Sequence, residues 1–100
     1  MIKIYIYHNK KDYKYYLMLK IKLSKNYDIV DDIDKADFII VMFSKNLEIE
    51  LKDILKPYLV VYANNTDIKL KKLGQFKNIH IFINDIRIIE KWIENQTTYL

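Results

Sequence analysis

Residues 36–65, ADFIIVMFSKNLEIELKDILKPYLVVYANN, constrain the fold more than any other part of the chain. A strand with one wet face alternates apolar and polar residues, whereas Phe38–Phe43 is an unbroken apolar run. Such a run belongs to a strand covered on both faces, which in practice means a parallel sheet. Ser44, Lys45 and Asn46 stop the run, Leu47, Leu51, Ile54 and Leu55 recur at helical spacing, and Lys56 and Pro57 lead into a second run that ends at Asn64 and Asn65. The stretch reads as a strand, helix, strand unit with its polar residues gathered at one end.

Five apolar runs follow one another along the chain: residues 2–7, 27–30, 38–43, 58–63 and 79–83. Strands alternating with helical segments at this spacing predict an α/β fold, a three-layer doubly wound parallel sheet of about five strands in the order 2-1-3-4-5. The third run is expected at the centre and the second, short, at an edge. Residues 17–23 carry a strand period as well as a helical one. A helix is the reading here, because it supplies the crossover between two parallel strands, with Asn9 or Asp12 at its start. Only residues 31–37 separate the second and third runs, so that crossover is expected to shrink to about one turn. A further short helix is expected at residues 67–73, with Gly74 at its C-cap, and a closing amphipathic helix through Ile86, Ile89, Trp92 and Ile93, capped by Asp85. Pro57 falls at a strand start, where its missing donor does least harm.

At 100 residues the chain is expected to be a single domain, 1–100. It has no cysteine, which excludes disulfides, thiolate metal sites and a cysteine nucleophile. No apolar run approaches the ~20 residues of a membrane span, and the N-terminus does not read as a signal peptide, so a cytoplasmic protein without a membrane partner is expected. The formal charge of +4 invites a nucleic-acid reading. Against it, Arg87 is the lone arginine, and arginine is the side chain that reads phosphate and guanine bidentately. Abundant Ile, Lys, Asn and Tyr with few Gly, Ala and Pro is also the bias of an AT-rich genome. Nucleic acid is therefore the least favoured partner class.

In open parallel sheets ligands bind beyond the carboxyl ends of the strands, where the strand order reverses. His8, Asn9, Ser44, Asn46, Asn64, Asn65, Asn84 and Asp85 stand at those ends. His8, Asn9, Ser44, Asn46 and Asn84 are the candidate ligand-binding residues, although turns and helix caps use the same residue types. The single glycine, Gly74, excludes both the GxGxxG turn and the GxxxxGKS phosphate loop, and no cofactor is implied. His8 and His80 lack a second ligand at metal spacing, so no metal site is expected. His80 reads as a packed strand residue. Met42, Phe43 and Ser44 stand where a receiver-type phosphorylation site would need an aspartate. Glu48 and Glu50 fall in the first turns of the helix after the third strand. The helix dipole there favours an ionised carboxylate, suited to a nucleophilic or electrostatic role.

The order of elements, the opening KIYIYHNKKD, the later IDKADFIIVMFSKN and the carboxylate helix running into KPYLVVY resemble TIR domains, particularly the bacterial TIR-like proteins of antiphage defence. They are similar, secondarily, to nucleoside deoxyribosyltransferases. In both families a glutamate attacks or stabilises an N-glycosidic sugar. The resemblance implies that role for Glu50, less so for Glu48, with Ser44 matching the serine that ends the third strand. The chain departs from the family in two respects. The BB loop and the helix after the second strand are almost wholly absent, and Ser44 and Glu50 are closer together than in the family. Without that cover a nucleotide site would be shallow and wet, which weakens the electrostatic stabilisation a glycosidase needs.

The expectation is accordingly a small, non-catalytic TIR-like or flavodoxin-like binding protein that recognises a nucleotide signal or a protein partner. Its size and composition suit a phage or mobile-element protein acting in defence or counter-defence, as an inhibitor of a host immune complex. An N-glycosidase or deoxyribosyltransferase working through Glu50 on NAD or nucleosides is the alternative, and a nucleic-acid binder the second alternative. The oligomeric state is not legible in the sequence.

Overall fold

A computed structural model describes residues 1–43, 51–62 and 81–98. The fold is α/β, built on a parallel sheet in the order β2-β1-β3-β4, with β1 at Lys3–Tyr7, β2 at Asp28–Ile29, β3 at Phe38–Phe43 and β4 at Tyr58–Tyr62. Among the described residues the α-helices are α1, Tyr13–Leu23, and α2, Ile86–Thr97. The parallel strand order is consistent with flavodoxin-like and Rossmann-like folds.

β3 sits between β1 and β4, in register Ile4 with Phe38 on one side and Ile39 with Tyr58 on the other. All six of its side chains are buried. Phe38, Ile40 and Met42 point into the larger core with Ile4, Ile6, Val61, Leu19 and Leu23 of α1 and Ile89 and Ile93 of α2. Ile39, Val41 and Phe43 join Val60 and Tyr62 on the opposite face, against which Tyr5, Ile33, Ile54 and Phe82 pack. Both helices therefore lie on one face of the sheet.

Helix α1 answers the ambiguity of residues 17–23. Leu19 and Leu23, four apart, are fully buried, while Leu17 and Ile21 are exposed, a helical and not an alternating division. Apolar residues on both sides of the helix are what blur its period in the sequence.

The short crossover from β2 to β3 is a single 3₁₀ turn at Ile33–Lys35, with Asp32 Oδ1 accepting from the Asp34 N–H at 3.0 Å. Its carbonyls are closed by a distant cation. Lys56 Nζ donates to the oxygens of Ile33, Asp34 and Ala36 at 2.8, 2.8 and 2.7 Å. Asp37 then pins the start of β3 to β1, its N–H donating to Lys3 O at 2.7 Å and its Oδ2 accepting from Lys3 N at 2.9 Å.

Three local expectations are corrected. Leu51, Ile54 and Leu55 do not extend a helix to Lys56: a 3₁₀ turn spans Leu51–Asp53, and Leu55 is 95% exposed. Pro57 accounts for this by holding Lys56 out of the helical region, and the Pro57 carbonyl accepts from Ile39 at 3.0 Å. Of the fifth run, residues 81–83 are described, and they contribute a single parallel bridge, Phe82 to Tyr62, where a named strand was expected. Asp85 explains that ending. The flanking residues of Phe82 bond inward, Tyr62 N to Ile81 O at 2.7 Å and Ile83 N to Tyr62 O at 3.1 Å. The outward N–H of Phe82 goes to Asp85 Oδ2 at 3.0 Å, and the Phe82 carbonyl accepts from the Asp85 N–H at 2.9 Å. The third correction follows, since the Asp85 carboxylate is occupied with Phe82 and makes no capping bond to α2. The helix expected at 67–73, with Gly74, lies outside the described residues.

Two outcomes test this account. Lys56→Met keeps the stem and removes three charge-assisted bonds, and is expected to lower stability by about 1.5–3 kcal/mol in urea denaturation. A loss below about 0.5 kcal/mol would show that the carbonyls are satisfied without it. The second concerns Tyr27, whose ring is buried and whose hydroxyl pKa is raised, first by burial and then by Glu90 and Glu94. A raised folded-state pKa means stability is fully present below the ordinary tyrosine value of about 10 and is lost as pH climbs through the folded value. Tyr27→Phe should flatten the fall in melting temperature above about pH 10, and an unchanged alkaline slope would contradict the assignment.

Candidate functional site

β1 has β2 on one side and β3 on the other, so the order reverses beyond Tyr7, at His8 and Asn9. This is where an open parallel sheet parts to admit a ligand. The Asn9 side chain starts the next element. Its Oδ1 accepts from the Lys11 N–H at 3.0 Å, and its carbonyl accepts from the Asp12 N–H at 2.9 Å, closing the 3₁₀ turn Lys10–Asp12 that runs into α1.

That turn brings three rings together. His8 stacks on Tyr16 with centroids 3.9 Å apart and planes 11° off parallel, and Tyr13 leans on both, at 6.2 Å from His8 and 5.7 Å from Tyr16. His8 Nδ1 lies 3.4 Å from the Ile6 carbonyl. Tyr16 is half-buried against the core and also carries Lys20 Nζ at 5.7 Å from its ring centre, whereas Tyr13 is 54% exposed. Lys10, Lys11 and Lys14, close by in the chain, are exposed. Tyr5, on β1, has its hydroxyl pKa raised by burial first, then by Tyr7, Tyr16, Asp31 and Asp32, and stays protonated at neutral pH.

Asp12 is the unexpected member. It stands at the N-cap of α1 but makes no capping bond; it is buried, and its Oδ2 finds no hydrogen-bond donor among the described residues. The positive end of the helix dipole offsets part of that cost. The carboxylate favours cations or hydroxyl donors over phosphate in its immediate surroundings, which leaves anion binding to the lysines further out.

The structure brings His8 and Asn9 together and places Asn84 elsewhere: Asn84 Oδ1 accepts from Lys22 Nζ at 3.5 Å, on the last turn of α1, while His8 meets its first turns. Ser44, Asn46, Glu48 and Glu50 lie outside the described residues, as do Asn64, Asn65 and His80. The ring partners Tyr13 and Tyr16 were not among the expected site residues. Their signal is present in HNKKDYKYY, where two tyrosines three apart share one helix face directly after His8. Among the described residues no group of three or more His, Cys, Asp or Glu is placed to hold a metal ion, and no helix is long and apolar enough to cross a membrane.

The two carboxylic and amide residues of the turn make opposite predictions. Asn9→Ala removes a cap and should cost about 1 kcal/mol. Asp12→Ala removes a buried, unpartnered oxygen, whose cost of about 1–3 kcal/mol exceeds the ~0.3–1 kcal/mol of dipole compensation, so it should leave stability unchanged or raise it. Chemical denaturation of both variants decides, and a loss above about 1 kcal/mol in Asp12→Ala would show that the carboxylate has a partner in solution.

Comparison of the chain with protein-family models, with curated proteins and with solved structures returns no match.

Proposed function

We propose that this chain is a small binding protein of TIR-like or flavodoxin-like build that takes a nucleotide signal at the carboxyl end of β1. The observation that carries the reading is the three-ring cluster of His8, Tyr13 and Tyr16 at the point where the strand order reverses, on a segment that also carries the exposed Lys10, Lys11 and Lys14. An exposed tyrosine ring offers a stacking face to a nucleobase, and base-on-aromatic stacking contributes about 1–3 kcal/mol per base without selecting one base strictly. Lys10, Lys11 and Lys14 supply positive charge for the phosphates, a task the glycine loops absent from this sequence perform with backbone N–H groups. Lysine is a strongly hydrated point charge, so the phosphate contribution is long-range and weakens with salt. The same turn holds no nucleophile and base pair among the described residues that would assign it a reaction. Binding, with recognition of a signal in defence or counter-defence, is the function in this reading; the small size and AT-rich composition suit a phage or mobile-element origin.

The test is a titration of ADP-ribose, NAD and cyclic nucleotides followed by backbone amide shifts. Shifts centred on His8, Asn9, Tyr13 and Tyr16 are expected, with affinity falling about tenfold in Tyr13→Ala. Shifts confined to β4 and Phe82 would reject the site. The same samples address catalysis. No release of nicotinamide or free base above background is expected, and base release lost in Glu50→Gln but kept in Glu48→Gln would replace binding with N-glycosidase activity.

A further inference from the structure

Helix α1 carries a second apolar face that no other described element covers. Leu19 and Leu23 are fully buried, yet on the other side Tyr13, Leu17, Met18 and Ile21 are 54, 37, 39 and 64% exposed. Tyr13, Leu17 and Ile21 stand four apart, and Met18 lies three before Ile21, so these side chains form one continuous stripe along the helix. A stripe of this kind is a cost in an isolated domain, because apolar area left in water forgoes about 25 cal/mol per Å².

The rim of the stripe says what covers it. Residues 10–26 contain six lysines, Lys10, Lys11, Lys14, Lys20, Lys22 and Lys25, and one acid, Asp12, which is buried. Among the described residues none of the six is in an ion pair: Lys14 and Lys20 lie over the rings of Tyr15 and Tyr16, and Lys22 meets the neutral Asn84 amide. A second copy of the chain docked face to face would set lysines against lysines, a juxtaposition that is repulsive. A bilayer requires apolar side chains that reach about 5–10 Å into the headgroup region. Here Leu17 and Met18 are only 37 and 39% exposed, and the opposite side of the helix is fixed to the core through Leu19 and Leu23. Leu17, Met18 and Ile21 also offer no ring face for stacking and no arginine, which sets the stripe beyond Tyr13 apart from a nucleic-acid groove.

We infer that the outer face of α1 is a docking surface for a protein partner whose own apolar patch is bordered by aspartate and glutamate. Ile21 and Tyr13 are the side chains that bury most on binding. The lysine rim fixes orientation and speeds association, and because the rim is exposed its contribution is screened by salt.

The experiment uses the whole chain and a synthetic amphipathic helical peptide of leucine and glutamate, with the lysine-for-glutamate peptide, phosphatidylserine vesicles and duplex DNA as rival probes. The glutamate peptide is expected to bind, to shift the amides of Leu17, Met18 and Ile21, and to weaken as salt rises. Ile21→Glu should reduce its affinity about tenfold or more, the size expected from losing one buried isoleucine, with an unchanged melting temperature. Lys14→Glu with Lys25→Glu should weaken the glutamate peptide and strengthen the lysine peptide. Equal binding of both peptides, binding of vesicles or DNA in preference, absence of glutamate-peptide binding, or dimerisation through this face in sedimentation would each overturn the inference. Nucleotide binding at His8 and Asn9 is read separately, and Ile21→Glu leaves it unaltered.

Discussion

The central strand is the constraint on which the rest depends. Six consecutive buried side chains in Phe38–Phe43 require a strand on each side and cover on each face, and β1, β4, α1 and α2 take their places around that requirement. In a chain this small, burial of one continuous run supplies a large share of the apolar area removed from water. Sheet order then follows from chain connectivity, since parallel neighbours need crossovers and crossovers need length.

Where the chain lacks the length for an element, a single polar side chain stands in for it. Lys56 closes three carbonyls of the turn before β3, a service that a longer helix would render with its own N–H groups. Asp85 does the same at the far side, turning the outward N–H and C=O of Phe82 back on the chain and leaving no open ladder groups at that residue. Both devices satisfy backbone groups that are for the most part partly buried, at the expense of making the fold depend on individual charges.

The turn after β1 joins structure and function in the same way. Asn9 starts the helix, the helix presents Tyr13 and Tyr16, and those rings hold His8 at the reversal of strand order. Recognition of a small ligand at that end and of a protein along the outer face of α1 would share one helix, with Tyr13 standing at the boundary of the two surfaces.

The apolar run in β3, the short edge strand, the one-turn crossover and the parallel order were legible in the sequence, because burial leaves its mark as hydrophobic periodicity and chain length limits connectivity. His8 and Asn9 were legible as residues beyond a strand end for the same reason. The face of α1 that meets the core, the role of Lys56 and the diversion of Asp85 from capping to edge closure were not, since each depends on partners in space that periodicity does not encode, Ile33 being 23 residues from Lys56 and Ile89 and Ile93 lying on another helix from Leu19 and Leu23. Asn84 shows the limit most clearly: its neighbours in the chain place it at a strand end, but only the packing of α1 sets Lys22, 62 residues away, against it. Local pattern determined which segments are buried and in what order they pair, and tertiary packing decided which polar groups meet, because a hydrogen bond is satisfied by distance and direction in space and not by separation along the chain.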